Sequence, residues 1–149
     1  MDINVGMLEK LIREIVVQQL AGKADFIRDI APQGVMSVKL DTVKVGEENR
    51  LDTGNKDDIV YTKDLFTLEE SPRLGCGIME MKETTFAWEL GYDEIDYVIE
   101  GELSIISEDK VVTAKAGELI LIPKNSKIQF SVPNYARFIY VTYPADWSS

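Results

Sequence analysis

The sequence predicts a mainly β protein, a single barrel or sandwich of short strands preceded by one amphipathic α-helix. Apolar residues recur with a helical period only in residues 1–21. From residue 35 onward, short alternating segments are separated by turn residues, which is typical of all-β domains. A chain of 149 residues is long enough for one such domain with a sizeable core.

Residues 1–21 are predicted to form the helix. Its apolar residues have the 3.6-residue spacing of one helix face: Leu8, Leu11, Ile12, Ile15, Val16 and Leu20. Two interpretations of this face remain open, because it can pack on its own domain or a second copy, or dock into a groove of a partner. Residues 22–34 contain Gly and Pro without sustained periodicity, which predicts a linker.

Residues 35–149 are predicted to form the β domain. The expected strands cover residues 59–61, 74–83, 86–90, 94–99, 103–106, 111–113, 119–122, 128–131 and 138–142. Turns are expected at Gly91, at Glu100-Gly101 and after Pro123. Many short strands joined in this way favour a small barrel or a sandwich.

The absence of histidine narrows the possible chemistry. It excludes Ser-His and Cys-His catalysis as well as histidine metal sites, so a metal would have to be a hard cation such as Mg²⁺ held by oxygen. The formal net charge of −10 makes free nucleic acid and anionic membranes poor partners. A single cysteine, Cys76, is typical of a reducing cytosol.

Two acidic residues stand out because they share one face of a predicted strand. Strand alternation places Glu94 and Asp96 on one side, whereas Ile95 and Tyr97 lie on the other. Clustered carboxylates away from water raise one another's pKa or bind a cation. The alternative is that they only accept hydrogen bonds from hydroxyl and backbone N–H groups and thereby set the shape of the barrel.

Two motifs resemble those of cupins, small jelly-roll barrels also described as double-stranded β-helices. Glu94 and Gly101 have the Glu-x₆-Gly spacing of the first cupin motif. The segment from Gly117 to Asn125 resembles the second motif, with Asn in the last glycine position, and Asn tolerates positive φ. The resemblance implies a cupin barrel over residues 35–149.

The metal-binding histidines of common cupins are missing from this sequence. Their positions map to Trp88 and Leu90, or with the other spacing to Ala87 and Glu89, and to Ile128. Only the position of Glu94 is kept, so the transition-metal chemistry of cupins is not expected here.

A narrower resemblance is to EutQ, the cupin of ethanolamine-utilisation operons. It rests on Trp88 through Gly101, on residues 122–126 and on the segment from Ala136 to Trp147. The family implies acetate kinase activity, which exchanges phosphate between ATP and acetate, although the sequence has no P-loop or kinase motif. The rival hypothesis is a non-catalytic module for small-molecule binding or assembly.

The resemblance also implies a location and partners. The EutQ family is associated with a bacterial microcompartment in the cytoplasm, which makes docking of the N-terminal helix to a shell or cargo protein as plausible as internal packing. A homodimer is expected by analogy with other cupins.

The predicted site is a pocket inside the barrel. The motif position of Glu94 implies that it faces inward, Asp96 points the same way, and Glu80 is expected to join them as a third catalytic acid. In the kinase hypothesis Glu94 and Asp96 hold the Mg²⁺ of ATP, and no cofactor is tightly bound. The predicted binding residues are Trp88, Tyr92, Tyr97 and Tyr140, with Lys82, Lys124, Lys127 and Arg137 as candidates for phosphate or acetate.

Overall fold

The computed structural model describes residues 4–12 and 24–148, and the chain divides into two units, Met1–Lys44 and Val45–Ser149. In the first unit residues 5–12 are helical. The apolar side chains of this helix are largely in water, since Val5 is 69% exposed and Leu11 52%. Residues 1–3 and 13–21 of the predicted helix lie outside the described residues.

A small hairpin occupies part of the segment predicted as a linker. Strand β1 (Arg28–Ile30) pairs antiparallel with β2 (Met36–Val38). The turn between them places Gln33 and Gly34 at positive φ, 76° and 94°. The structure therefore differs from the predicted linker. The sequence did not indicate this hairpin, because strands of three residues are too short for their alternation to be recognised.

The second unit contains six antiparallel strands. They are β3 (Ile59–Asp64), β4 (Gly75–Glu89), β5 (Asp93–Ser107), β6 (Lys110–Lys115), β7 (Leu119–Ile122) and β8 (Lys127–Tyr143). Their order is β3-β4-β8-β5-β6, and β7 pairs with β5. This arrangement confirms the predicted mainly β fold.

Strands β4, β5 and β8 each join two strands that the sequence predicts separately. In β4 the register shifts at Glu83, where φ is 47°, and in β5 it shifts near Gly101, where φ is 81°. A bulge adds a residue and changes which alternate side chains face inward. In β4 the inward residues are therefore odd-numbered before the bulge (Met79 and Met81) and even-numbered after it (Phe86). In β5 they change from the even-numbered Val98 to the odd-numbered Leu103. The turn predicted at Glu100-Gly101 is such a bulge, so that prediction is wrong.

The inward side chains form one apolar core in the second unit. Its buried members include Val60, Met81, Leu90, Val98, Leu103, Ile122, Val132 and Phe138. Burial of apolar surface of this kind contributes most of the stability of a small barrel. Among the described helical residues, none belongs to a helix with the length and apolar character needed to cross a bilayer.

Candidate functional site

A pocket with a cavity volume of about 20 Å³ lies in the barrel. It is lined by Leu51, Thr62, Met79, Phe86, Trp88, Tyr92, Glu94, Phe130, Tyr140 and Trp147. These described lining residues include six aromatic side chains and one carboxyl group, but no lysine or arginine. The pocket therefore combines apolar ring surfaces with a single acidic group.

The aromatic rings of the pocket are in contact with one another. The ring centroid of Trp147 lies 6.3 Å from that of Trp88, 6.5 Å from Tyr92 and 5.7 Å from Tyr140. Phe86 packs edge-on against Trp88 at 5.9 Å. Edge-to-face and tilted contacts of this kind are favourable for aromatic quadrupoles, so the rings hold one another in place.

The N–H and O–H donors of three of these rings are already committed. Trp88 Nε1 donates to the Tyr92 hydroxyl at 2.7 Å. The Tyr140 hydroxyl and Trp147 Nε1 both donate to Oδ1 of Asp64, at 2.6 and 3.2 Å. Burial, followed by the charge of Asp64, raises the pKa of Tyr140, which keeps this hydroxyl protonated and donating.

The two acids predicted to face inward do so. On β5 Glu94 is 5% exposed and Asp96 0%, while register places them opposite Thr142 and Tyr140 of β8. Burial raises the pKa of Glu94 to about 7. Burial and the neighbouring Glu94 charge raise the pKa of Asp96 well above its ordinary value. Both buried carboxyl groups therefore take up a proton more readily than ordinary acidic side chains do.

Several buried oxygens of this cluster have no hydrogen-bond partner within the part of the chain that the structure describes. They are Oε2 of Glu94, both carboxyl oxygens of Asp96 and Oγ1 of Thr142. A proton on one of the two acids would satisfy one of these atoms and leave the others without a donor among the described residues. Each unsatisfied buried polar group costs about 1–3 kcal/mol. Such a cost is expected where a ligand or an ordered water supplies the missing donors.

The structure brings five of the predicted site residues together, namely Glu94, Asp96, Trp88, Tyr92 and Tyr140. Four of them line the pocket, and Asp96 lies beside Glu94 on the same face of β5. The alternation of the strand was sufficient to place both acids on one side.

Other predicted site residues lie elsewhere. Tyr97 is 42% exposed on the opposite face of β5, because it alternates with Asp96. Glu80 alternates with the buried Met79 and Met81, so it lies on the other face of β4, and β8 separates β4 from β5. The predicted convergence of Glu80 with the two inward acids is therefore wrong.

Glu80 instead belongs to a pair outside the pocket. Its carboxylate lies 2.9 Å from Arg137 Nη1 and accepts a hydrogen bond from the Tyr135 hydroxyl at 2.6 Å. Arg137 thus points away from the pocket. The predicted phosphate-binding lysines, Lys82, Lys124 and Lys127, are exposed and are not among the lining residues.

Several residues of the site were not predicted. Phe86, Phe130 and Thr142 are inward positions of strands, so an extension of the alternation along those strands would have found them. Trp147 follows β8 in an irregular segment, where no periodicity indicates which way a side chain points. Asp64 ends β3, and its two hydrogen bonds depend on long-range contacts that the sequence does not reveal.

The described residues do not fit the predicted Mg²⁺ site. Mg²⁺ prefers ionised oxygen ligands and retained waters, whereas Glu94 and Asp96 are buried and burial raises the pKa of both. Among the described residues there is no group of three or more Asp, Glu or Cys side chains placed to hold a metal ion. We therefore derive no chemistry through a metal at this pair.

Comparison with known proteins agrees with the sequence motifs. The family model described as "Ethanolamine utilisation protein EutQ" matches residues 3–149. The protein named Acetate kinase EutQ from Clostridioides difficile (strain 630) is 64% identical over 151 residues, which cover 99% of this chain and 96% of that protein. Acetate kinase EutQ from Salmonella typhimurium is 36% identical over 144 residues, and the chain covers only 61% of its length.

Solved structures show the same fold. The structure described as the Clostridium difficile EutQ protein has a TM-score of 0.83 and 71% identity, and covers 85% of this chain and 92% of that one. A cupin superfamily protein from Desulfitobacterium hafniense, at 12% identity, has a TM-score of 0.52 over 68% of this chain and 99% of that one. The predicted cupin fold is thereby confirmed.

Proposed function

The chain belongs to the EutQ family of ethanolamine utilisation proteins, and from this membership we propose that it acts as an acetate kinase, exchanging a phosphoryl group between ATP and acetate. One observation carries the proposal. A protein named Acetate kinase EutQ is 64% identical to this chain over nearly the full length of both. Phosphoryl transfer relies mainly on positioning and on neutralisation of phosphate charge.

The predicted catalytic role of Glu94 and Asp96 does not form part of this proposal. Their pocket offers no lysine or arginine among its described lining residues, and so no cation to neutralise a phosphate. We therefore assign the phosphoryl transfer to the chain and not to this acid pair.

The kinase proposal predicts that the purified chain forms ADP only when ATP, acetate and Mg²⁺ are all present. Acetyl phosphate should appear in equal amount, and the reverse reaction should make ATP from acetyl phosphate and ADP. Both products can be followed in coupled assays, with a mock purification from the same host as the background. If ADP formation does not exceed the mock preparation, the proposal fails.

A destabilised variant separates the activity of this barrel from a contaminating kinase. Gly101→Ala, discussed below, should unfold at a lower temperature than the wild type. If the activity belongs to the barrel, the variant should lose it at a lower temperature than the wild type does. If it belongs to a contaminating kinase, both preparations should lose it at the same temperature.

The pocket favours a second candidate function, a module that binds a small molecule without converting it. The supporting observation is the unpartnered, buried Oε2 of Glu94 in the lining of an aromatic pocket. A buried polar group of this kind is usually satisfied by a partner, and a small bound molecule can supply one. This function can be tested separately from the kinase proposal, because ligand binding and ADP formation are measured in different experiments.

We further propose that the chain forms a homodimer and associates with a bacterial microcompartment through its N-terminal helix. The exposed apolar side chains of residues 5–12 support the contact with the microcompartment. A second exposed apolar set, on the outer face of the barrel, supports the dimer contact: Ile95, Tyr97, Leu119 and Leu121. Register places these outer residues side by side, with Ile95 opposite Leu121 and Tyr97 opposite Leu119. An apolar patch of this kind is typical of an interface.

Deletion of residues 1–21 is expected to remove co-purification with microcompartment shells while the truncated chain stays folded and dimeric. Light scattering should give twice the chain mass for each form, where the full chain has a mass of 16.8 kDa and the truncated chain is lighter by the deleted residues. A monomeric mass for the full chain would contradict the dimer. Unfolding or aggregation of the truncated chain would show instead that the helix is structural.

A further inference from the structure

We infer that the pocket binds a small primary ammonium compound, with its –NH₃⁺ group held by Glu94 and by the faces of the surrounding aromatic rings. Ethanolamine, the compound in the name of the family, belongs to this chemical class. The inference rests on the second candidate function above, that of a binding module, and does not require kinase activity.

The hydrogen bonds of the pocket indicate a ligand that brings donors. The ring donors of Trp88, Trp147 and Tyr140 are already used within the protein, and the Tyr92 hydroxyl, which accepts from Trp88, keeps one donor for a ligand oxygen. The buried pocket-lining oxygen that lacks a partner among the described residues is Oε2 of Glu94, which accepts hydrogen bonds when the carboxyl group is ionised. An ammonium group has three donors and no acceptor, whereas acetate or phosphate brings acceptors only.

The electrostatics of the pocket also favour a cation. A cation is attracted to the faces of Trp, Tyr and Phe rings within about 6 Å of their centroids. The described lining provides six such rings and one carboxyl group, with no lysine or arginine to repel the ligand. The formal net charge of −10 adds a general attraction for cations.

The size of the pocket limits the ligand. The cavity volume of about 20 Å³ is little more than that of one water, so the pocket admits the ammonium head group and leaves no room for a nucleotide. The lining beyond Glu94 is largely apolar, which suits a short aliphatic substituent on the ammonium group better than a charged one.

Titration of the pocket provides a test that distinguishes the charge of the ligand. The titratable groups around Glu94 are Asp96 on the same strand, Tyr92, and Tyr140 with Asp64 behind it. Burial raises the pKa of Tyr92 to about 12, so the tyrosines stay neutral while Glu94 loses its proton near pH 7. An ammonium ligand should therefore bind more tightly at about pH 8 than at about pH 6, and a carboxylate ligand less tightly.

The experiment is a titration of the full chain with ethanolamine, followed by tryptophan fluorescence and by calorimetry. Trp88 and Trp147 line the pocket and report on its occupancy. Ethylene glycol is the matched control ligand, because a hydroxyl replaces the ammonium group at nearly the same size. We expect saturable binding of ethanolamine that strengthens with pH, and at least about tenfold weaker binding of ethylene glycol.

Two variants connect the binding to the pocket. Glu94→Gln keeps the shape of the side chain and should weaken ethanolamine binding at least about tenfold, whereas Glu89→Gln, at an exposed position, should leave it unchanged. Trp147→Leu removes one ring from a half-buried position and should weaken binding without unfolding the barrel. Circular dichroism of each variant confirms that it is folded.

Three results would overturn the inference. They are the absence of saturable binding by ethanolamine, equal binding of ethylene glycol, and affinity for ethanolamine that falls with rising pH. Saturable binding of acetate that weakens with pH would assign the pocket to a carboxylate. None of these results bears on whether the chain forms ADP, so failure of the inference and failure of the kinase proposal remain distinguishable.

Discussion

Gly101→Ala is expected to lower the free energy of unfolding by about 2–5 kcal/mol. Gly101 has a φ of 81°, a left-handed conformation that costs other residues roughly 1–2 kcal/mol. A Cβ atom there would also collide with the backbone carbonyl oxygen of Tyr135 and lie 3.0 Å from Cα of Ala136. Both atoms belong to β8, which is paired on both sides, so the backbone cannot easily move and the overpacking adds about 1–3 kcal/mol.

Urea unfolding followed by circular dichroism measures this effect. Gly91→Ala is the matched control, because a Cβ atom at Gly91 meets nothing within 4 Å and its φ is not positive. It should change stability by less than about 1 kcal/mol, with either sign. Equal stability losses in the two variants would show that the bulge at Gly101 does not require glycine.

Glu94→Gln is expected to stabilise the barrel relative to the wild type as the pH rises. The pKa of Glu94 is raised to about 7 in the folded state, above its ordinary value of 4.5, so the native state retains a proton that the unfolded state has lost. Stability of the wild type therefore falls as pH rises between these two values. The difference between variant and wild type should grow by on the order of 3 kcal/mol from below pH 4.5 to above pH 7.

Paired urea titrations of both proteins across this pH range provide the measurement. The variant-minus-wild-type difference cancels the titration of distant carboxylates, and Glu89→Gln, at an exposed position, should give a difference that does not change with pH. A difference for Glu94→Gln that is equally flat would mean that this carboxyl is hydrated in the folded protein. A pair of buried acids that lowers stability at neutral pH is a cost expected at a functional site.

Local sequence patterns were sufficient for much of the barrel. The alternation around Glu94 and Asp96 placed both acids inside, and the Glu-x₆-Gly spacing marked the special backbone at Gly101. Asn125 adopts a φ of 71°, as its position in the second motif predicts. These features depend on residues close together in sequence, which is why they could be predicted.

Features that depend on register could not be predicted in this way. The orientation of Glu80 is set by its own strand, but its distance from Glu94 depends on β8, which lies between the two strands. Its true partner, Arg137, lies 57 residues away in the chain. Trp147 reaches the pocket from an irregular segment, so neither helical nor strand periodicity could place it.

The bulge at Glu83 has a consequence for the alignment of related sequences. Before it in β4 the odd-numbered residues, such as Met79 and Met81, face the core, and after it the even-numbered Phe86 does so. If an alignment places a gap one residue away from the bulge at Glu83, the residues next to it are matched with the wrong face of the strand. Residues that face inward in this chain would then be aligned with residues that face outward in the relative. Candidate ligand-contacting positions in relatives should therefore be counted from the bulge and not from the start of the strand.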